Sequence, residues 1–173
     1  AMKMGSKNEE PVLNKLESET LFREVFPVGL LARRDDPTIG VSPDGIGLIE
    51  LPSGHLVNAS IEIKTRVADK TIETAKSARR KHGKVVFCEN DSDTFRDCVP
   101  SGNRKQLIHQ AYVCDLAYVV FVTSTLEDDI GSIIQIVVVH YRGGALEDHG
   151  QRAKAISNPL LSWYFHPLLI AKG

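Results

Sequence analysis

The chain lacks most features that announce a function through composition alone. It has only three cysteines in 173 residues, and Cys88, Cys98 and Cys114 form no C-x-x-C pair. An odd, loosely spaced set predicts free thiols and an intracellular compartment, cytoplasmic or nuclear, rather than a disulfide scaffold. It also argues against a structural zinc site. No apolar run reaches membrane-spanning length. The longest, around Ile133 to Val139, is strand-sized, so no membrane partner is expected. No signal-peptide pattern, internal repeat or low-complexity segment is visible. Neither sign of charge is in excess, the formal net charge being -1. Bulk attraction to nucleic acid is therefore excluded, and any such binding must come from locally concentrated positive charge.

What is present fits one domain spanning residues 1–173, long enough to bury a real core. Hydrophobic residues make up 42% and charged residues 25%, an ordinary globular balance. Ala1-Met2 reads as a tag remnant before an internal start, with the expectation of a domain cut from a longer protein.

Periodicity predicts the elements. Asn8 to Phe22 places Val12, Leu13, Leu16 and Leu21 at helical spacing, with Ser6 or Asn8 as cap and Pro11 in the first turn. Val28 to Arg34 is expected as a short strand, and Asp35-Asp36-Pro37 as a turn. Ile46 to Glu50 and Val57 to Thr65 are strands joined at Pro52-Ser53-Gly54. The second alternates cleanly: Val57, Ala59, Ile61 and Ile63 against Asn58, Ser60, Glu62 and Lys64. A helix over Ala68 to His82 ends at Gly83. Lys84 to Cys88 follows as a strand, Glu89 to Pro100 as an irregular loop, and Arg104 to Leu116 as a helix. Ala117 to Thr125 and Ile130 to Tyr141 are β-branched strands. Ala145 to Ile156 is helical, and Asn158-Pro159 opens a last helical piece. This order predicts a mixed α/β sandwich around a central sheet.

The hairpin carries the chemistry. Pairing symmetric about Ser53 places Asp44 opposite Glu62, with both side chains on one face and Lys64 two residues on along it. A two-residue Ser53-Gly54 turn shifts the register by one and turns Asp44 away. The shared face therefore needs an odd-length loop, a bulge, or Asp44 outside the regular ladder. Converging carboxylates repel unless a cation sits between them. An all-oxygen set suits Mg²⁺ or Mn²⁺, to which the Ile63 carbonyl could add a ligand. Such an ion activates water and offsets charge on a phosphodiester, with Lys64 beside it.

Pro43-Asp44 followed by Glu62-Ile63-Lys64 resembles the P-D-x(n)-(D/E)-x-K pattern of the PD-(D/E)XK nucleases. Gly40-Val41-Ser42-Pro43-Asp44-Gly45 resembles their phage lambda exonuclease-like branch. Gly5-Ser6-Lys7-Asn8-Glu9 is similar to that branch's G-x-x-x-E helix, with Glu10-Pro11 as a competing alignment. Gln106-Leu107-Ile108-His109-Gln110 is similar to its glutamine helix. The resemblance covers roughly residues 5 to 125. It implies a restriction-endonuclease-like α/β core, a central mixed sheet flanked by helices. It implies Glu9, Asp44 and Glu62 as metal ligands or their supports, and Lys64 as the catalytic lysine. Gln106 or Gln110 would orient the lysine or contact phosphate. The implied activity is a Mg²⁺- or Mn²⁺-dependent deoxyribonuclease of exonuclease type. An endonuclease on the same fold, or a module that binds nucleic acid without cutting it, are the alternatives. The implied partners are DNA, and a second copy of the chain or a recombination protein.

Phosphate contacts are expected from Arg66, which follows the catalytic strand, from Arg104 and Lys105 at the start of the glutamine helix, and from Arg79 and Arg80 in the basic stretch Lys76 to Lys84. That stretch serves equally as a solvated helix end favoured by its dipole. His109 positions water or packs its helix. Glu50 is expected at the surface, and Trp163, Tyr164 and Phe165 cap the core or stack on bases.

Overall fold

The computed structural model describes residues 2–66, 70–125 and 132–154, with side chains from residue 9 onward except at residues 66, 70 and 71. Along the chain come α1 (Met2–Leu16), β1 (Phe22–Pro27), β2 (Leu31–Ala32), β3 (Gly40–Val41), β4 (Gly45–Glu50), β5 (Leu56–Arg66) and α2 (Lys70–His82). Then follow β6 (Val85–Glu89), α3 (Asp93–Cys98), α4 (Ser101–Cys114), β7 (Tyr118–Thr125) and β8 (Ser132–His140). Residues 143–154 are helical and are called α5.

The architecture is α/β: a six-stranded mixed sheet, ordered β1-β4-β5-β7-β8-β6, flanked by helices. β1, β4 and β5 pair antiparallel, whereas β5 and β7 run parallel. A parallel connection needs a long crossover, and α2, β6, α3 and α4 supply it. The β5 alternation divides the core. Ala59, Ile61 and Ile63 meet Val12, Leu13 and Leu16 of α1 on one face. Leu107 and Ala111 of α4, with Phe95 of α3, pack against Val119 and Phe121 of β7 on the other. β7 and β8 are covered on both faces, which is why they read as continuous apolar runs.

Four elements depart from the sequence expectations. α1 stops at Leu16, and Phe22 begins an edge strand instead of ending the helix. Its burial falls on Phe22 and Val25 rather than on every second residue, because a register shift interrupts its pairing with β4. Pro11 lies inside α1, not in its first turn. The strand expected over Val28 to Arg34 shrinks to Leu31–Ala32, paired with Gly40–Val41 as a separate ribbon. The expected loop after Glu89 contains α3, whose first turn is capped by Ser92 accepting from the Phe95 N–H. Asn158-Pro159 and Trp163 to Phe165 lie outside the described residues.

Among the described residues no helix is long and apolar enough to cross a membrane. The three cysteines are free thiols.

Candidate active site

The β4–β5 hairpin sets the geometry. Its register runs from Gly45↔Ile61 to Glu50↔Leu56, and each of these pairs is symmetric about Ser53. Leu51 donates to the His55 carbonyl at 2.9 Å and Gly54 to that of Leu51 at 2.8 Å. The loop proper is therefore Pro52-Ser53-Gly54, of odd length, with Gly54 at φ +82°. Only glycine adopts such a backbone without strain, and it is the residue a three-residue hairpin needs there. Asp44 stands one residue before β4. Its N–H reaches the Ile61 carbonyl at 3.0 Å, which continues the ladder's direction, and its carboxylate Oδ2 accepts from the Ile63 N–H at 2.6 Å.

Glu62 is 2% exposed. It lies on the α4 face of β5, and its carboxylate is gripped from three directions. Lys64 Nζ and Gln106 Nε2 both donate to Oε1, the latter at 2.7 Å, and Gln110 Nε2 donates to Oε2. Gln106 and Gln110 are one helical turn apart, so α4 presents both amides along one stripe. A buried carboxylate is tolerable only with such partners. Gln110 is fully buried, and its own carbonyl oxygen has no partner among the described residues.

Asp44 is half-buried and poorly compensated. Burial raises its carboxyl pKa to about 7, and the neighbouring charges of Glu62 and Glu9 push the same way. The Ile63 N–H and Lys64 oppose them without prevailing. Glu9 reaches this place through packing. It lies one turn before Leu13 on α1, and Leu13 lies against Gly45. A Cβ on Gly45 would fall 2.9 Å from both Leu13 Cδ1 and the Phe26 carbonyl oxygen. Glycine after Asp44 is thus what lets α1 approach. Glu10 is exposed and does not figure among the charges acting on Asp44.

Asp44, Glu62, Lys64, Gln106, Gln110 and Glu9 are therefore brought to one end of β5. Both glutamines bond the glutamate and not the lysine. The acids whose charges act together here, Glu9, Asp44 and Glu62, offer only oxygen donors, against the one ammonium of Lys64 among the described residues. This composition fits a hard divalent ion. Among the described residues no three His, Cys, Asp or Glu side chains yet stand close enough to form a metal cluster.

The basic candidates divide. Arg104 is spent on structure, donating to the carbonyls of Val99 and Arg96 at 2.8 Å each and lying over the Phe95 ring. Arg79 donates to the Ile134 carbonyl. Lys76, Lys81, His82 and Lys84 face Glu73, Asp97, Asp97 and Glu19. Arg79, Lys81 and His82 thus hold α2 to β8 and α3, and Lys84 just after it holds Glu19. Arg80 and Lys105 are exposed. The Arg66 side chain lies outside the described residues. Glu50 pairs with Arg23 at the surface.

His109 packs rather than reaching the acids. Its Nε2 lies 3.2 Å from the Gly40 carbonyl and its Nδ1 lies 3.1 Å from Nε2 of His149. A carbonyl only accepts, so neutral His109 carries its proton on Nε2 and receives the His149 N–H on Nδ1. His149 was not foreseen. The two histidines stand forty positions apart, and no local pattern links them.

Comparison of the chain with models of known protein families, with curated proteins and with solved structures finds no match in any of the three.

Proposed function

We propose that the chain is a metal-dependent deoxyribonuclease of the PD-(D/E)XK type, on a restriction-endonuclease-like core, with exonuclease action as the first reading. The observation that carries this is the unequal pair of carboxylates beside Lys64. Glu62 is fully buried and held by three donors, while Asp44 next to it is only partly offset by Lys64 among the described residues and is raised to about 7. A purely structural ion pair would not leave a second and third acid at the same point.

Asp44 and Glu62 would hold Mg²⁺ or Mn²⁺, with Glu9 and the Ile63 carbonyl as supports. Once bound, such an ion supplies an activated water and charge stabilisation at the phosphodiester. The chain's own residues do the rest. Gln106 and Gln110 fix the Glu62 carboxylate so that its remaining lone pairs keep one direction. Lys64 stays beside the scissile position as a cation, orienting water and offsetting charge that develops on the phosphate oxygens. Lys105 and Arg80 are exposed cations suited to the DNA backbone. An intracellular setting fits the three free thiols.

The test is cleavage of linear and of covalently closed circular DNA with Mg²⁺, Mn²⁺ or EDTA. Metal-dependent loss of the linear form alone supports the exonuclease. Cutting of both assigns an endonuclease on the same fold. No cutting of either, by folded protein with either metal, overturns the catalytic reading and leaves a nucleic-acid-binding module.

A further inference from the structure

A cavity of about 730 Å³ lies between α4, α5 and the turn leading into β3. Neither Asp44 nor Glu62 lines it, but Lys105 and His109, which do, directly precede Gln106 and Gln110 on α4. Lys105, Ile108 and His109 line it from the stripe of α4 next to the one carrying Gln106 and Gln110. His109 bonds the Gly40 carbonyl, four residues before Asp44. The two helices meet closely because α5 has a glycine at the contact: a Cβ on Gly150 would fall 2.4 Å from Tyr112 Cε2.

The cavity is far too large for one inorganic ion and suits a small organic ligand, for which pockets of roughly 300–1,000 Å³ are usual. Its lining includes apolar residues, Ile39 and Ile108, and two cations, Lys105 from α4 and Arg152 from α5. No ion pair or hydrogen bond engages either cation among the described residues. Arg152 lies near enough to His149 for its charge to oppose that ring's protonation. Asp148 shares the wall with Arg152. A carboxylate there repels a chain of phosphates but accepts from the exocyclic amino group of a base.

We propose that this cavity binds a single unstacked nucleotide, with its phosphate on Lys105 and Arg152 and its base against Ile39 and Ile108. An anion with a flat apolar body is the ligand that suits both the cationic and the apolar lining residues. The choice of a nucleotide rests on the nuclease reading; the cavity itself does not.

The experiment is calorimetric titration of metal-free protein in EDTA with deoxyadenosine 5′-monophosphate, deoxyadenosine and inorganic phosphate. The nucleotide should bind at least about tenfold more tightly than either fragment. The double variant Lys105→Ala/Arg152→Ala should weaken it about tenfold or more, and Ala145→Phe, which fills the cavity and leaves its charges in place, should block it; circular dichroism checks that each variant is folded. Phosphate binding as tightly as the nucleotide, or nucleotide binding that survives both variants, overturns the proposal. The two readings fail separately. Wild-type protein that cuts DNA but binds no nucleotide in EDTA overturns the cavity alone. Protein that binds the nucleotide in the cavity but never cuts overturns the nuclease alone.

Discussion

Glu62 on the inner strand β5 and Glu89 at the end of the edge strand β6 belong to the same sheet, each held by several donors, and their surroundings differ in electrical balance. Glu89 is one acid facing two basic groups. His140 Nδ1 and Arg142 Nε each lie 3.1 Å from its oxygens, and His140 stacks on Tyr118. Burial alone would raise the Glu89 pKa, but the bonds from His140 and Arg142 bring it below the usual range. On β5 Glu62, with Asp44 and Glu9, shares one lysine, and Asp44 rises to about 7. The first cluster is closed. The second sets three acids against one lysine among the described residues, and the proposed function rests on that imbalance.

The largest expected effect comes from breaking the open cluster. Glu62→Ala should cost at least about 10³-fold in cleavage rate. It should also cost roughly 3 kcal/mol of stability, since Lys64, Gln106 and Gln110 lose their common acceptor. Cleavage assays and chemical denaturation read the two effects. Wild-type rates in Glu62→Ala would remove the carboxylate from the mechanism. Lys64→Ala should lower the turnover rate by about 10²-fold while DNA affinity changes less than tenfold. Equal losses in both would make Lys64 a phosphate anchor.

The third prediction concerns pH. Asp44 has a folded pKa raised above its unfolded value of 3.8 to about 7. Between those values the folded state holds more protons, so stability falls as pH rises through that window. Metal-free protein should therefore melt at a higher temperature at pH 5 than at pH 8, with a difference on the order of a few kcal/mol. Asp44→Asn should flatten this slope. A slope unchanged in Asp44→Asn would place the uncompensated acid elsewhere. Glu89 has the opposite sign. Its depressed pKa adds stability above the unfolded value, and that stability is lost as pH falls through the folded one.

Smaller effects sharpen the contrast. Gly45→Ala should destabilise by about 1–3 kcal/mol, because the Phe26 carbonyl cannot yield, and should reduce cleavage as α1 carries Glu9 away. Glu89→Ala should change stability by less than about 1 kcal/mol and leave cleavage untouched. A cleavage loss there would erase the distinction between the two clusters.

The parts of this arrangement that were legible in the sequence are those governed by period and symmetry. The alternation of Val57 to Lys64 is the alternation of β5, and pairing about Ser53 is the observed register from Gly45↔Ile61 to Glu50↔Leu56, which stops one residue short of Asp44. β1 was missed because Leu21 extends the helical spacing of Val12 to Leu16, while the strand's burial pattern follows an irregular ladder. α3 is too short to display a period. The attachment of both glutamines to Glu62 depends on how α4 crosses the sheet, which no local pattern encodes. The basic run from Lys76 to Lys84 has the converse character: its partners Asp97 and Glu19 are distant in sequence, so those charges look free until the chain is folded.

The cation deficit at Asp44 and Glu62 is tested most directly by titrating metal-free wild-type, Asp44→Asn and Glu62→Gln proteins with Mn²⁺ and following bound ion by electron paramagnetic resonance. The wild type should bind Mn²⁺ at a site that both variants lose while remaining folded. A wild type that binds no Mn²⁺, or variants that bind it as tightly, would contradict the account.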